Sequence, residues 1–175
     1  MDQLRKAREA FRLANDLMLD LVAGTSAYTI LKAQLRRTRD VPDHVDTAVF
    51  RLCLFHTITT LSRWVELYDR YKDVIPPDVR PASKSLRAQV KTRGIVDFRN
   101  KVVGHIWDLE QHRALSNTEV QQRLNAITSS DYAGFFEWAG DPDAPSSAPS
   151  AAQVIERVRD SLRSVHSFTD GDLHQ

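Results

Sequence analysis

Cysteine is almost absent from this chain: Cys53 stands alone among 175 residues, so no internal disulfide can form. A lone cysteine inside an apolar helical run fits a reducing compartment and predicts a cytoplasmic protein. Long apolar runs are missing too. Nothing approaches the roughly 18 uninterrupted apolar residues of a membrane span, and the N-terminus alternates charge with hydrophobe where a secretory signal would be apolar, so no membrane partner is expected. Glycine is scarce at six residues, and none are grouped as in a phosphate-binding loop, a GxSxG elbow or a dinucleotide fingerprint. Alternation at a period of two is absent over any useful length, which removes sheet-based classes. No charge excess exists either: the net charge is +1, so a footprint for nucleic acid has to be local.

What is present is helical periodicity. Leu4, Ala7, Phe11, Ala14, Leu17, Met18 and Leu21 recur at three- and four-residue intervals. Gly24-Thr25-Ser26 reads as a turn and cap, after which Tyr28, Ile30, Leu31 and Leu35 predict a second, shorter helix ending near Arg37. Pro42 opens the longest uninterrupted segment, with a broad apolar stripe from Val49 to Val74 that Pro76-Pro77 ends. Ser83 is a candidate cap for the next helix. From there the motif helix either continues through Gly94 to Val103 or restarts at the glycine, and continuation is favoured because one internal glycine costs only about 1 kcal/mol. Ser116-Asn117-Thr118-Glu119 has the form of a capping box. A short aromatic segment follows at Tyr132, Phe135, Phe136 and Trp138. Residues 141–150 read as a flexible linker, and a final helix carries Val154, Val158, Leu162 and Val165. The expected fold is all-α: a compact bundle of five to six helices in one domain over residues 1–170, with a frayed tail at 171–175.

Chemistry concentrates between Phe98 and Asp108. Arg99, Asn100 and His105 stand together where an apolar helix pattern runs out, and Gly104 is a stop signal that would let His105 leave the helical track. Arginine and histidine four to six residues apart also recur elsewhere, as in Arg51 and His56, so spacing alone carries little. His56, on the apolar stripe, reads as a hydrogen-bonded core residue. The run from Arg80 to Lys101 adds Lys84, Arg87, Lys91 and Arg93 against Asp97 alone, a local balance of +6 leading into Arg99. Lys91, Arg93 and Lys101 are therefore the candidate contacts to a phosphate backbone; a solvated helix face is the plain alternative. His105, Asp108 and His112 come nearest to metal-ligand spacing and read better as loop and surface residues, so no metal or other cofactor is expected.

The segment Phe-Arg-Asn-Lys-Val-Val-Gly-His resembles the signature of the HEPN superfamily, an arginine followed by a polar residue and, a few positions on, a histidine. The match covers seven residues, and its flanks are similar to single-domain members from phage abortive-infection and toxin–antitoxin systems. Trp107 stands where one subclass has a tyrosine. The resemblance implies an up-and-down helical bundle and a symmetric homodimer, in which two motifs meet as a metal-independent endoribonuclease. Arg99, Asn100 and His105 would be its catalytic residues, RNA its substrate, and a cognate antitoxin or a nucleotidyltransferase a possible partner. The residue chemistry agrees with this. Histidine titrates near neutral pH and suits proton transfer to or from a 2′-hydroxyl, and arginine's planar fork matches two phosphate oxygens. A different class remains open, a non-catalytic helical dimer that binds a protein or ligand, with Arg99 paired to a carboxylate such as Asp97 or Asp108 and His105 capping carbonyls at the helix C-terminus.

Overall fold

The computed structural model describes residues 2–38, 42–103, 107–108 and 113–173. The fold is all-α. Seven α-helices occur among the described residues: α1 Gln3–Arg37, α2 Asp43–Tyr71, α3 Arg80–Thr92, α4 Ile95–Phe98, α5 Asn117–Thr128, α6 Tyr132–Gly140 and α7 Ala151–His166. Trp107–Asp108 and Arg113–Ala114 form a two-residue antiparallel bridge, which adds no layer. No helix among these residues is long and apolar enough to cross a membrane.

Cross-helix contacts fix the arrangement around α1. Lys6 meets Asp73 just past the end of α2, and along α2 Asp20 meets Arg63 and Tyr28 meets Phe50, so the two helices are antiparallel. Along the C-terminal part of the chain, Phe11 meets Phe168 and Met18 meets Arg159, so α7 is also antiparallel to α1. Ala7, Ala10 and Ala14 on α1 are fully buried, and their small side chains let the neighbouring backbones approach closely. One continuous core joins these to Leu54, Ile58, Leu61 and Trp64 of α2 and to Val154, Ile155, Val158 and Leu162 of α7. α3 lies against α2 through the Arg87–Asp69 pair, and α6 covers the distal half of α1, where Tyr28 stacks on Phe136 at 3.9 Å between ring centroids.

Three local expectations change. First, α1 is one helix of 35 residues and not two. Gly24-Thr25 is a crossing point inside it: a Cβ on Gly24 would sit 2.8 Å from His56 Cδ2 and 3.1 Å from Thr57 Oγ1, so glycine admits α2 here. Thr25 Oγ1 donates to the Leu21 carbonyl at 2.8 Å, turning a cap residue inward along its own helix. Second, the chain does not run helically through Gly94. Its φ of 73° is left-handed, α3 stops before it, and α4 restarts after it, which together with the short α4 raises the helix number above five or six. Third, α3 begins at Arg80 with Pro81 in its first turn, and Ser83 is a buried residue whose hydroxyl donates to Val79 O at 2.8 Å.

Other local signals match their elements. Ser116 and Glu119 form the capping box of α5, and Ser150 and Gln153 form a second one on α7. Residues 141–150 are non-helical, and Gln153 Nε2 donates to the carbonyls of Pro142 and Ala144, tying this segment to α7. Asp170–Leu173 forms a 3-10 turn that takes in residues 171–173 of the expected frayed tail, whose last two residues lie outside the described ones. Thr169 donates to Asp172, and Asp172 pairs with Arg8 of α1 at 3.1 Å.

Candidate functional site

The segment carrying Arg99 and Asn100 is placed by a turn, a short helix and a change of helical register. Gly94 N–H donates to Lys91 O and ends α3; its left-handed backbone then redirects the chain into α4. Ile95 and Phe98 are fully buried, and the Phe98 ring meets Phe55 of α2 edge-on at 5.6 Å. Burying a phenylalanine of this kind contributes about 2–3 kcal/mol, enough to pin the segment to α2. From Arg99 to Val103 the backbone widens into a π turn. Single π turns are rare and gather at functional sites because they re-aim side chains relative to an α-helix.

On that turn, Arg99 Nη1 donates to Asn100 Oδ1 at 3.0 Å, and Arg99 Nη2 lies 3.4 Å from Glu66 Oε1 of α2. The arginine side chain is 36% exposed and the glutamate 60%. An ion pair so open to water is worth roughly 0–1 kcal/mol, which a bound phosphate would exceed through two charge-assisted hydrogen bonds to the same fork. Asn100 is exposed, and its amide hydrogens have no partner among the described residues. Lys101 is half-buried on the same turn. His105, Gly104 and His112 lie outside the described residues, so the expected swing of His105 toward Arg99 and the His105–Asp108–His112 grouping are not placed.

The basic run ahead of the motif does not form a free stripe. Arg87 and Lys91 both pair with Asp69 of α2, Arg87 through Nη2 to Oδ2 at 3.0 Å and Lys91 at 3.5 Å. Arg87's hydrogen bond holds the Asp69 carboxyl below the usual range, and the same bond raises the arginine's own pKa. Arg80 donates to Ile75 O at 2.8 Å. Arg93 departs furthest from the expected phosphate contact. Its Nη1 donates to Ile127 O at 2.9 Å at the C-terminal end of α5, its guanidinium lies 4.4 Å from the Trp138 ring centroid, and burial pushes its pKa down. Arg93 is thus a clamp joining α3, α5 and α6. Lys84 stays exposed.

Glu66 and Asp69 are the residues that sequence reasoning missed. They stand one turn apart on α2, some thirty positions before the motif, and no local spacing links them to it. His56 is hydrogen-bonded as expected, Nε2 to Asp20 O at 2.9 Å, but it is exposed at the α1–α2 contact and not a core residue. A groove of about 630 Å³ lies elsewhere, between α1 and α6, lined by Tyr28, Lys32, Phe136 and Glu137 among others and by none of Arg99, Asn100 or Lys101.

No family model and no curated protein matches this chain. Among solved structures, an integron cassette protein from the mobile metagenome of V. paracholerae, Vpc_cass2, resembles it with a TM-score of 0.74, covering 90% of this chain and 96% of that one. Identity between the two is 19%, so the likeness is one of fold.

Proposed function

We propose that this protein is a metal-independent endoribonuclease of the HEPN type, acting as a homodimer on RNA in a toxin or anti-phage defence role. The observation that carries the reading is Arg99, set on a surface π turn beside Asn100, with its guanidinium held by a solvent-exposed carboxylate that a phosphate can replace. Arg99 clamps two non-bridging oxygens of the scissile phosphate, and Asn100 orients the arginine through Oδ1. His105, six residues on, moves the proton. The 2′-oxygen loses its proton and forms a bond to phosphorus, the bond from phosphorus to the 5′-oxygen breaks, and that oxygen takes a proton as it leaves. The products are a 2′,3′-cyclic phosphate and a 5′-hydroxyl. A two-fold pairing of motifs supplies one histidine as base and a second as acid.

The test is cleavage of a mixed RNA pool in EDTA by wild type, Arg99→Ala and His105→Ala, with product ends analysed. Cleavage by wild type alone, leaving cyclic phosphate ends, is the expected result. Cleavage by either variant at the parental rate overturns the assignment.

The Arg99–Glu66 pair favours a second reading, in which the chain is a non-catalytic helical dimer that binds a protein or ligand and keeps Arg99 for its ion pair. Under it, wild type does not cut RNA, and Arg99→Ala acts only on stability, by no more than about 1 kcal/mol.

A further inference from the structure

The groove between α1 and α6 has the build of a seat for a third helix. Its α1 wall is Ser26, Thr29, Ile30 and Ala33, all exposed. Its α6 wall is Ala133, Phe136, Glu137 and Gly140. Both sets advance by three, four and seven residues, so each is one continuous stripe along its helix. Thr25 lies against Gly140 and Tyr28 stacks on Phe136, which closes the floor and sets the two helices antiparallel. Serine, threonine, alanine and glycine make up most of both walls, and such small side chains let another backbone come close. Ile30, 59% exposed, stands at the middle of the α1 wall. From Leu21 to Leu31 the helix carries no charged residue, which is not the pattern of a solvated face.

Charge sorts along the groove. Lys32 and Arg36 stand at one end, toward the start of α6, and Glu137 and Asp141 at the other, level with Tyr28 and Thr25. Arg36 is eleven residues beyond Thr25, about 16 Å or three helical turns along the axis. None of these four side chains has an ion-pair partner among the described residues, so the two ends do not neutralise each other. Lys32 donates to the Tyr28 hydroxyl at 2.8 Å, and Asp141 accepts from the Asp143 N–H at 2.9 Å.

We infer that this groove binds an amphipathic helix of another protein, three to four turns long, with acidic residues of its first turn at Lys32 and Arg36 and basic residues of its last turn at Glu137 and Asp141. A small anion would answer the cationic end alone. A flat ring finds no platform, because Tyr28 is already stacked by Phe136 and approached by Lys32 Nζ, 5.0 Å from its ring centroid. Acid first and base last is the order that a helix's own macrodipole favours, so the groove selects charges that also stabilise its occupant. That order sets the occupant antiparallel to α1, as α2 and α7 already are. A second copy of this chain does not supply it: α1, α3, α6 and α7 have no acidic residue in the first turn, α5 has no basic residue in the last, and α2 is packed inside the bundle.

The test is a display selection on the full chain, using helical peptides of about 15 residues with a fixed apolar stripe and random outer positions. It is run against wild type and against Ala33→Trp, which fills the groove from an exposed position. Peptides enriched on wild type alone are expected to carry Asp or Glu in the first turn and Lys or Arg in the last. The reverse order, or no enrichment above Ala33→Trp, overturns the inference. Fluorescence anisotropy with one enriched peptide then reads the charge pairs. Arg36→Glu and Glu137→Lys, each with a wild-type helical spectrum, should each weaken binding about threefold or more, and a peptide whose first-turn acids are changed to lysine should regain affinity for Arg36→Glu. Unchanged affinity in both variants overturns the inference, and so does a self-association of wild type that Ala33→Trp abolishes, which would put a second copy in the groove. The groove holds none of Arg99, Asn100 and Lys101, so the ribonuclease reading is judged apart from it, by RNA cleavage.

Discussion

Replacing Arg93 by alanine separates a structural clamp from a phosphate contact. The guanidinium gives one charge-assisted hydrogen bond to the Ile127 carbonyl at 2.9 Å and a cation–π contact with Trp138 at 4.4 Å. A hydrogen bond to a charged group contributes about 1.5 kcal/mol or more, and a partly desolvated cation–π contact about 1 kcal/mol. Arg93→Ala should therefore destabilise the fold by about 2–3 kcal/mol, a drop in Tm of roughly 5–10 °C for a chain of this length. Arg93→Lys keeps the charge and loses the planar stack, and should retain about half of the stabilisation. Urea denaturation followed by far-ultraviolet circular dichroism reads both values. A double-mutant cycle with Trp138→Ala should give a coupling energy of about 0.5–1.5 kcal/mol. If Arg93→Ala unfolds within about 0.5 kcal/mol of wild type while its RNA affinity falls, the clamp is refuted and Arg93 returns to the phosphate-binding residues.

Two glycines predict outcomes of different size for the same substitution. A Cβ on Gly140 would overlap Oγ1 of buried Thr25, so Gly140→Ala should cost about 1–3 kcal/mol by overpacking. Gly24→Ala crowds the His56 ring, which would have to leave its hydrogen bond to Asp20 O, and buried Thr57 Oγ1 at 3.1 Å, a cost that about 1 kcal/mol of helix propensity offsets in part. Its measured stability should stay within about 1 kcal/mol of wild type. Glu119 supplies a pH signature. Hydrogen bonds from Arg113 and from Ser116 hold its carboxyl far below its ordinary value of 4.5. The folded state thus binds this proton less readily than the unfolded chain. The contribution is fully present above pH 4.5 and is lost as pH falls below it. The stability gap between wild type and Glu119→Gln, read from urea midpoints, should be constant from pH 7 to 5 and shrink toward pH 3. A gap that widens on acidification would refute the sign.

The sequence alone determined whatever depends on neighbours along one helix. Three- and four-residue spacing announced an all-α chain, Ser116 with Glu119 announced a capping box that the structure contains, and Pro76-Pro77 lies just past α2, which ends earlier, at Tyr71. Phe98-Arg99-Asn100 could be singled out because those residues are contiguous. The tertiary structure decided what depends on residues far apart in the chain. Gly24-Thr25 reads as a turn by propensity and is helical because α2 and α6 need the close approach there, a packing gain that outweighs a local preference worth about 1 kcal/mol. The basic run from Arg80 to Lys101 sums to +6 in sequence but meets Asp69 and Glu66 across the α2 contact, while Arg93 turns inward to α5 and α6. Side chains on facing helices pair through space at a few ångströms whatever their separation in the chain, and one-dimensional spacing carries no record of it.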